Sequence, residues 1–226
     1  MPSYDVSILC QTNHTRVVMN RPSQVGRMQT ALMALLFALG LALNIPSAFA
    51  ANKAAPGFTI NDLDGKPLSL SDFKGQWVIL EWTNPGCPFV QKHYMAGNMQ
   101  ATQQFAIEKK VAWIQVNSTT PSHGDYLKPI AMKEWNTEMK AKVSRAVLDE
   151  KGTIGRAYGA KTTPQIVLIN PAQEIVYNGA IDSIRSANPA DIEKATNYAK
   201  KAIAEGTAGK RISEPTTTPY GCSVKY

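Results

Sequence analysis

The sequence predicts an α/β fold in which helices flank a mixed central sheet and a β-hairpin precedes that sheet. Three observations favour it. Trp77–Trp82 is almost entirely apolar and β-favouring, which is typical of a strand buried on both faces. Further short apolar segments alternate with helical ones, an order typical of a parallel core sheet. The last two predicted strands are joined by a tight turn at Asn170-Pro171, which makes part of the sheet antiparallel.

Each element follows from a local pattern. Asp64-Gly65 favours a hairpin turn between two alternating segments, Pro88 suits the first turn of a helix, and Gly159 suits a helix end. The predicted strands are 58–63, 66–70, 77–82, 111–116, 146–148, 165–169 and 174–180. The predicted helices are 88–109, 126–142, 153–158 and 191–204, with a short turn at 71–73.

The N-terminal region has the pattern of a secretory signal peptide. Arg21 and Arg27 precede an uncharged apolar segment at residues 31–43, and residues 48–50 read Ala-Phe-Ala, a small-residue cleavage pattern. The apolar segment is shorter than the roughly 20 residues of a membrane span, although an uncleaved anchor is the alternative. The first 18 residues are interpreted as an over-long start of the chain.

We predict cleavage after Ala50 and divide the chain into three parts. Residues 1–50 are the over-long start and the signal peptide, residues 51–205 form one α/β domain, and residues 206–226 form a polar tail that carries Cys222. We therefore expect an exported protein, periplasmic or extracellular, without stable membrane insertion. Its oligomeric state is left open.

Charge and histidine content exclude some classes of partner. The chain carries a net charge of +7, but its basic residues are scattered, so no nucleic-acid partner is expected. His93 and His123 are dispersed, whereas a structural zinc site needs four closely spaced ligands. We expect no metal and no cofactor; a metallochaperone is the weaker alternative.

Two cysteines remain after the leader, which takes Cys10 with it. An oxidising compartment favours pairing of Cys87 with Cys222, but a structural disulfide, a reactive pair and two unrelated thiols all fit the count. Cys87 lies between a buried strand and a helix that begins near Pro88. Free N–H groups at a helix start favour a thiolate, which is the nucleophilic form, so Cys87 is predicted to be reactive rather than an inert core residue.

Several segments resemble one family. Residues 77–89 (WVILEWTNPGCPF) resemble the active-site strand, loop and helix start of thioredoxin-like proteins, and residues 158–169 (YGAKTTPQIVLI) resemble their second signature, which holds a cis-proline. Residues 55–75 resemble the opening of the AhpC/TSA redoxin and peroxiredoxin branch, and residues 220–225 (YGCSVK) its peroxiredoxin-like tails. The resemblance covers most of residues 56–205. It implies a thioredoxin-like fold and a thiol oxidoreductase or antioxidant activity.

The resemblance also implies roles for particular residues. Cys87 is the expected nucleophile, Cys222 the expected resolving thiol, and Glu81 a buried acid that moves protons, unless its side chain simply points to solvent. The remaining predicted site residues line the reactive sulfur or contact substrate: Thr83 and Asn84 in the loop before Cys87, Thr163 and a cis-Pro164 opposite it, and Pro88. Cys222 could instead lie on the surface or pair between two chains.

Three positions depart from the family patterns. Val90 stands where thioredoxins carry a second cysteine, so no exchange within a C-x-x-C motif is possible. Asn84 and Gly152 stand where peroxiredoxins carry a threonine and an arginine that orient the peroxide. The expected substrate is therefore either a peroxide or a protein disulfide, with an external thiol as reductant. A non-catalytic binding or chaperone module is the alternative.

Overall fold

The computed structural model describes residues 52–226, so the predicted signal peptide and Cys10 lie outside the described residues. The strands are β1 Lys53–Ala54, β2 Thr59–Asn61, β3 Pro67–Ser69, β4 Trp77–Trp82, β5 Val111–Asn117, β6 Arg145–Leu148, β7 Thr162–Thr163, β8 Gln165–Ile169, β9 Glu174–Gly179 and β10 Cys222–Ser223. The α-helices are α1 Pro88–Met95, α2 Asn98–Glu108, α3 Pro129–Glu138, α4 Thr153–Tyr158 and α5 Tyr198–Thr207, and 3-10 helices span Leu70–Phe73 and Pro189–Lys194. Within this part of the chain, no helix is long and apolar enough to cross a membrane.

A six-stranded sheet forms the centre, in the order β1-β9-β8-β4-β5-β6. Strands β4, β5 and β6 are parallel, whereas β8, β9 and β1 each pair antiparallel with their neighbours. The predicted mixed sheet is confirmed. Strand β4 lies in the middle of the sheet, between β8 and β5. Five of its six residues are therefore buried, as its apolar sequence predicts.

Two apolar cores cover the two faces of the sheet. On one face, α1, α2 and α5 pack against Ile79 of β4 and Trp113 of β5, and Cys87 lies in this core. On the other face, the β2–β3 hairpin and α4 pack against Val78 and Leu80. Because successive residues of a strand point to opposite faces, Glu81 lies on the Cys87 side.

The predicted helix 88–109 is wrong in one respect, since the structure breaks it into α1 and α2. Gly97 adopts a φ of +73°, a left-handed conformation that suits glycine and ends the helical hydrogen-bond pattern. The bend lets α1 and α2 follow different lines across the same face of the sheet.

Two other predicted helices are shorter or shifted. The helix predicted at 126–142 spans Pro129–Glu138, because the proline fixes its first turn. The helix predicted at 191–204 is a 3-10 turn followed by α5. The Asn197 side chain caps α5 by accepting from the Lys200 N–H at 2.9 Å, a local bond that the apolar pattern does not reveal.

Residues 208–226 are not a loose extension of the domain. The Asn178 N–H of β9 donates to the Pro215 carbonyl at 3.1 Å, and the Ala180 N–H donates to the Thr217 hydroxyl at 2.9 Å. Beyond these bonds the chain reaches β7 and pairs with it as β10. Strands β1, β7 and β10 were absent from the sequence prediction because two-residue strands leave no periodic pattern.

A buried carboxylate joins three elements behind the sheet. Asp149 accepts from the Ser118 hydroxyl at 2.7 Å and from the Gly155 N–H of α4 at 2.8 Å. Ser118 in turn accepts from the Trp82 ring N–H at 3.2 Å. The carboxylate thereby connects the ends of β4, β5 and α4.

We expect Asp149→Ala to lower the free energy of unfolding by about 2–3 kcal/mol, because it leaves a buried hydroxyl and a buried N–H without an acceptor. Chemical denaturation measures this difference. The matched control is Glu150→Ala at the exposed neighbouring carboxylate, with an expected change within about 0.5 kcal/mol. Equal effects of the two substitutions would contradict the assigned role of Asp149.

Candidate active site

Cys87 is the N-cap residue of α1, directly after β4 and its loop. The Val90 and Gln91 N–H groups of the first turn donate to the Cys87 carbonyl, each at 3.0 Å, and Pro88 occupies the first helical position. The Cys87 side chain is only 2% exposed. The helix start is therefore where the sequence predicts it, but the sulfur is covered.

Both cysteines converge on the backbone of Thr163. The Cys87 thiol donates to the Thr163 carbonyl at 3.1 Å. Cys222 is the direct partner of Thr163 in the β7–β10 pair. The pKa of Cys222 is raised to about 12, mainly because the thiol is buried and also because it interacts with the Cys87 side chain by a hydrogen bond. Both thiols are free, and the pair predicted from sequence lies together in one chain.

Gly221 makes this close pairing possible. Its φ is +131°, and a side chain there would begin about 2.0 Å from the Thr163 carbonyl oxygen. A glycine is required at this position because any other residue would collide with that carbonyl. The tail thus passes directly over the group to which Cys87 is hydrogen bonded.

The Thr163–Pro164 peptide bond is cis, as the resemblance implied. Pro164 is buried and directly precedes β8, which pairs with β4, so the loop is held opposite the Cys87 turn. The exposed backbone edge that such a loop offers to an extended peptide is instead occupied by β10 of the same chain.

The other predicted lining residues differ in what they are free to do. The Asn84 amide group donates to the Thr119 hydroxyl at 3.1 Å, and its oxygen accepts from the Gly86 N–H at 2.7 Å, so Asn84 shapes the loop. The Thr83 and Thr163 hydroxyls are buried and have no hydrogen-bond partner among residues 52–226. Pro88 is exposed on the outer side of the helix start.

Glu81 is fully buried, which excludes the solvent-facing alternative. Its carboxylate accepts from the Tyr94 hydroxyl at 2.9 and 3.0 Å and from the Trp113 ring N–H at 2.7 Å. Burial raises the pKa of Glu81 to about 7, although the Trp113 and Tyr94 hydrogen bonds oppose the rise. Near neutral pH the group can therefore both accept and release a proton.

The positions that depart from the family patterns have structural explanations. Val90 is fully buried in the apolar core that contains Cys87. Gly152 has a φ of +63°, and a Cβ there would lie 2.3 Å from the ring of Tyr226. The C-terminal ring therefore fills the space that a longer side chain at position 152 would need.

Sequence reasoning missed a buried charged cluster beside the site. It comprises Lys92 and His93 of α1, Asp182 after β9, and Tyr220 of the tail, all nearly inaccessible to solvent. The adjacent Lys92 and His93 on a helix that packs its apolar face inward were the available signal, but their partners lie about 90 and 130 residues away in sequence.

Other features of the described region lie apart from this chemistry. Among residues 52–226, no three His, Cys, Asp or Glu side chains are placed to hold a metal ion. A cavity of about 530 Å³ lies on the opposite face of the sheet, between the hairpin and α4, where Phe58, Ile60 and Tyr158 line it. None of the predicted site residues lines that cavity.

The AhpC/TSA family model matches residues 51–178, which include β4, the Cys87 turn and the Pro164 loop. The chain is also 27% identical over 124 residues to the thiol-disulfide oxidoreductase ResA of Bacillus thuringiensis subsp. konkukian, covering 55% of this chain. The alignment spans just under two thirds of that relative, 66% of its length. With ResA of Bacillus subtilis the identity is 27% over 153 residues, 64% of this chain and 78% of the relative.

Solved structures share the architecture. An uncharacterised conserved protein from Geobacillus kaustophilus superposes with a TM-score of 0.65 at 23% identity, covering 80% of this chain and 94% of that one. A hypothetical protein from Sinorhizobium meliloti gives 0.65 at 18% identity, covering 80% and 96%. At these identities the likeness concerns the fold. The AhpC/TSA match, the mixed sheet and the cis-Pro164 before β8 together confirm the predicted thioredoxin-like fold.

The raised pKa of Glu81 has a measurable effect on stability. Its folded value of about 7 exceeds the ordinary value of 4.5, so its contribution to stability is greatest below about pH 4.5 and is lost as pH rises through about 7. From about pH 5 to about pH 8, we expect the unfolding free energy of the wild type relative to Glu81→Gln to fall by about 2 kcal/mol. Denaturant titrations at the two pH values test this. A difference that stays constant or grows with pH would contradict it.

Proposed function

Because the chain belongs to the AhpC/TSA family, we propose that it is a thiol-dependent oxidoreductase whose reactive unit is the Cys87–Cys222 dithiol of a single chain. The observation that carries the proposal is the convergence of both cysteines on Thr163, Cys87 through its thiol and Cys222 through strand pairing. Two cysteines that are 135 residues apart in sequence thus meet at the start of α1.

The roles of the two thiols differ. Cys87 is the nucleophile because it caps α1. Cys222, whose pKa burial raises to about 12, stays protonated and acts second. With a peroxide, the Cys87 thiolate attacks one oxygen, the O–O bond breaks, and the released hydroxide takes a proton to become water. Cys87 is left as a sulfenic acid. The Cys222 sulfur then attacks the Cys87 sulfur, and the hydroxyl leaves as a second water when the disulfide forms.

Access favours a small oxidant. Cys87 is only 2% exposed, and β10 occupies the β7 edge along which an extended peptide would bind. The Thr163 hydroxyl is buried without a hydrogen-bond partner among residues 52–226, and we propose that it donates to a peroxide oxygen once the peroxide has reached Cys87. We propose that a peroxide reacts while β10 stays paired with β7, because a peroxide does not need the strand edge that an extended peptide would use.

Disulfide exchange uses the same two sulfurs and is the second candidate reaction. The similarity to ResA proteins, which carry the name thiol-disulfide oxidoreductase, favours it. The Cys87 thiolate attacks the substrate disulfide and releases one thiol, and Cys222 attacks the mixed disulfide and releases the other. A protein disulfide requires β10 to leave the β7 edge first.

Glu81 and the cellular setting complete the proposal. Glu81, buried on the same face of the sheet as Cys87 with a pKa of about 7, serves as the proton reservoir for these steps. An external thiol reductant then reduces the Cys87–Cys222 disulfide. The predicted signal peptide supports a setting outside the cytoplasm, in an oxidising compartment.

The first test is a thiol count on the fully reduced chain after one equivalent of hydrogen peroxide. We expect two of its thiols to be lost and peptide mass mapping to find a Cys87–Cys222 link within one chain. Any remaining Cys10 is distinguished by the same mapping. Cys87→Ser should keep its one remaining site thiol, Cys222, because the nucleophile is gone.

Cys222→Ser separates the two steps. It should consume one equivalent of peroxide and stop at a Cys87 sulfenic acid, which a cyclic diketone traps. If wild-type Cys87 and Cys222 both survive peroxide but pair after exposure to a protein disulfide, the disulfide-exchange reaction replaces the peroxidase one. If they survive both oxidants, the oxidoreductase proposal is wrong.

A further inference from the structure

A buried cluster of polar groups holds the tail two residues before Cys222. The Tyr220 hydroxyl donates to Asp182 Oδ1, and Lys92 Nζ lies 3.4 Å from Asp182 Oδ2 and 3.3 Å from the Ile184 carbonyl. His93 Nε2 lies 3.4 Å from the Tyr220 oxygen. Lys92, His93, Asp182 and Tyr220 are all at most 3% exposed.

The protonation pattern of this cluster is well defined. Burial lowers the pKa of His93 to about 4, so its ring is neutral at neutral pH. The Asn98 amide N–H group lies 2.7 Å from His93 Nδ1, which makes Nδ1 the acceptor. His93 Nε2 then carries the proton and donates to Tyr220, which donates to Asp182. A directed chain of hydrogen bonds therefore ends on a carboxylate paired with Lys92.

Side chains of α1 also pack against the Tyr220 ring. Tyr220 packs edge-on against Phe89 of α1 with ring centroids 5.8 Å apart, and Lys92 Nζ lies 5.8 Å from the Tyr220 ring centroid. Both contacts come from the helix that Cys87 caps. One helix therefore carries the reactive sulfur and most of the socket for Tyr220.

We propose that Tyr220, docked in the Lys92–Asp182–His93 cluster, is a positioning residue that holds Cys222 beside Cys87 and so favours their disulfide. This inference rests on the proposed function, because it concerns the second step of that reaction. Gly221 joins the anchor to the thiol and passes over the Thr163 carbonyl, so only one residue separates Tyr220 from Cys222.

The physical reason is the effective concentration of Cys222. A thiol on an unanchored tail spends most of its time away from Cys87, whereas a tail fixed before the reaction has already lost that freedom. The hydroxyl of Tyr220 bonds a buried charged acceptor, the kind of hydrogen bond that is strongest in proteins. Loss of the hydroxyl should therefore shift the equilibrium toward the separated thiols.

The test measures the equilibrium of the chain with glutathione. Reduced protein and glutathione disulfide are converted to the Cys87–Cys222 disulfide and two molecules of glutathione, and acid quenching, alkylation and peptide mass mapping give the equilibrium constant. We expect Tyr220→Phe to lower this constant about tenfold relative to wild type. The matched control is Tyr226→Phe. In the wild type the Tyr226 hydroxyl donates to the Ala160 carbonyl at 2.8 Å, so Tyr226 lies in the same tail but outside the cluster. We expect it to stay within about twofold of wild type.

The equilibrium constant with glutathione distinguishes positioning from a general structural effect. A substitution that destabilises the reduced and the oxidised chain equally leaves this constant unchanged. Gly221→Ala provides an independent check: its Cβ would push the tail off the Thr163 carbonyl, so it too should lower the constant about tenfold or more. An unchanged constant in Tyr220→Phe, or equal losses in Tyr220→Phe and Tyr226→Phe, would overturn the proposal. A wild-type chain that forms no Cys87–Cys222 link would instead overturn the proposed function.

Discussion

The carbonyl of Thr163 is the point on which the site depends. It accepts the hydrogen bond of the Cys87 thiol at 3.1 Å, and Gly221 of the tail passes directly over it. Strand β8, which follows the cis-Pro164 bond, is paired with β4, which leads into the Cys87 turn. The position of that carbonyl relative to the sulfur is therefore set by the central sheet. The hydrogen bond between Cys87 and Thr163 is held in place by the close packing of the whole domain.

Helix α1 connects this point to two buried polar networks. Tyr94 near its end donates to Glu81 under the site, while Lys92 and His93 face Asp182 and the tail. Buried polar groups are stable only when they are hydrogen bonded, so both networks restrict how α1 can be placed. One network contains Glu81, whose pKa burial raises to about 7, on the Cys87 face of the sheet. The other fixes the segment that carries the second thiol.

The departures from the common motifs form one consistent arrangement. Val90, where a second cysteine would complete a C-x-x-C motif, instead packs in the core. The Tyr226 ring occupies the space beside Gly152. Strand β10 covers the β7 edge and brings Cys222 to Thr163. The tail thus brings a second thiol to Thr163, fills the space beside Gly152 and covers the β7 edge.

Local sequence patterns were sufficient to predict the class of fold and the position of Cys87 at a helix start. These patterns are an apolar β-favouring strand, a proline at a helix start, and a Gly- and Thr-bearing loop before Pro164. The sequence also predicted Glu81 and Cys222 as site residues, but it left open whether Glu81 is buried and what Cys222 contacts. Three features became visible only in the folded chain: Glu81 is buried, Gly97 divides the first long helix, and the tail returns to Thr163. These outcomes depend on contacts between residues far apart in the chain, such as Tyr220 with Asp182, whose free energy exists only once the sheet has brought them together.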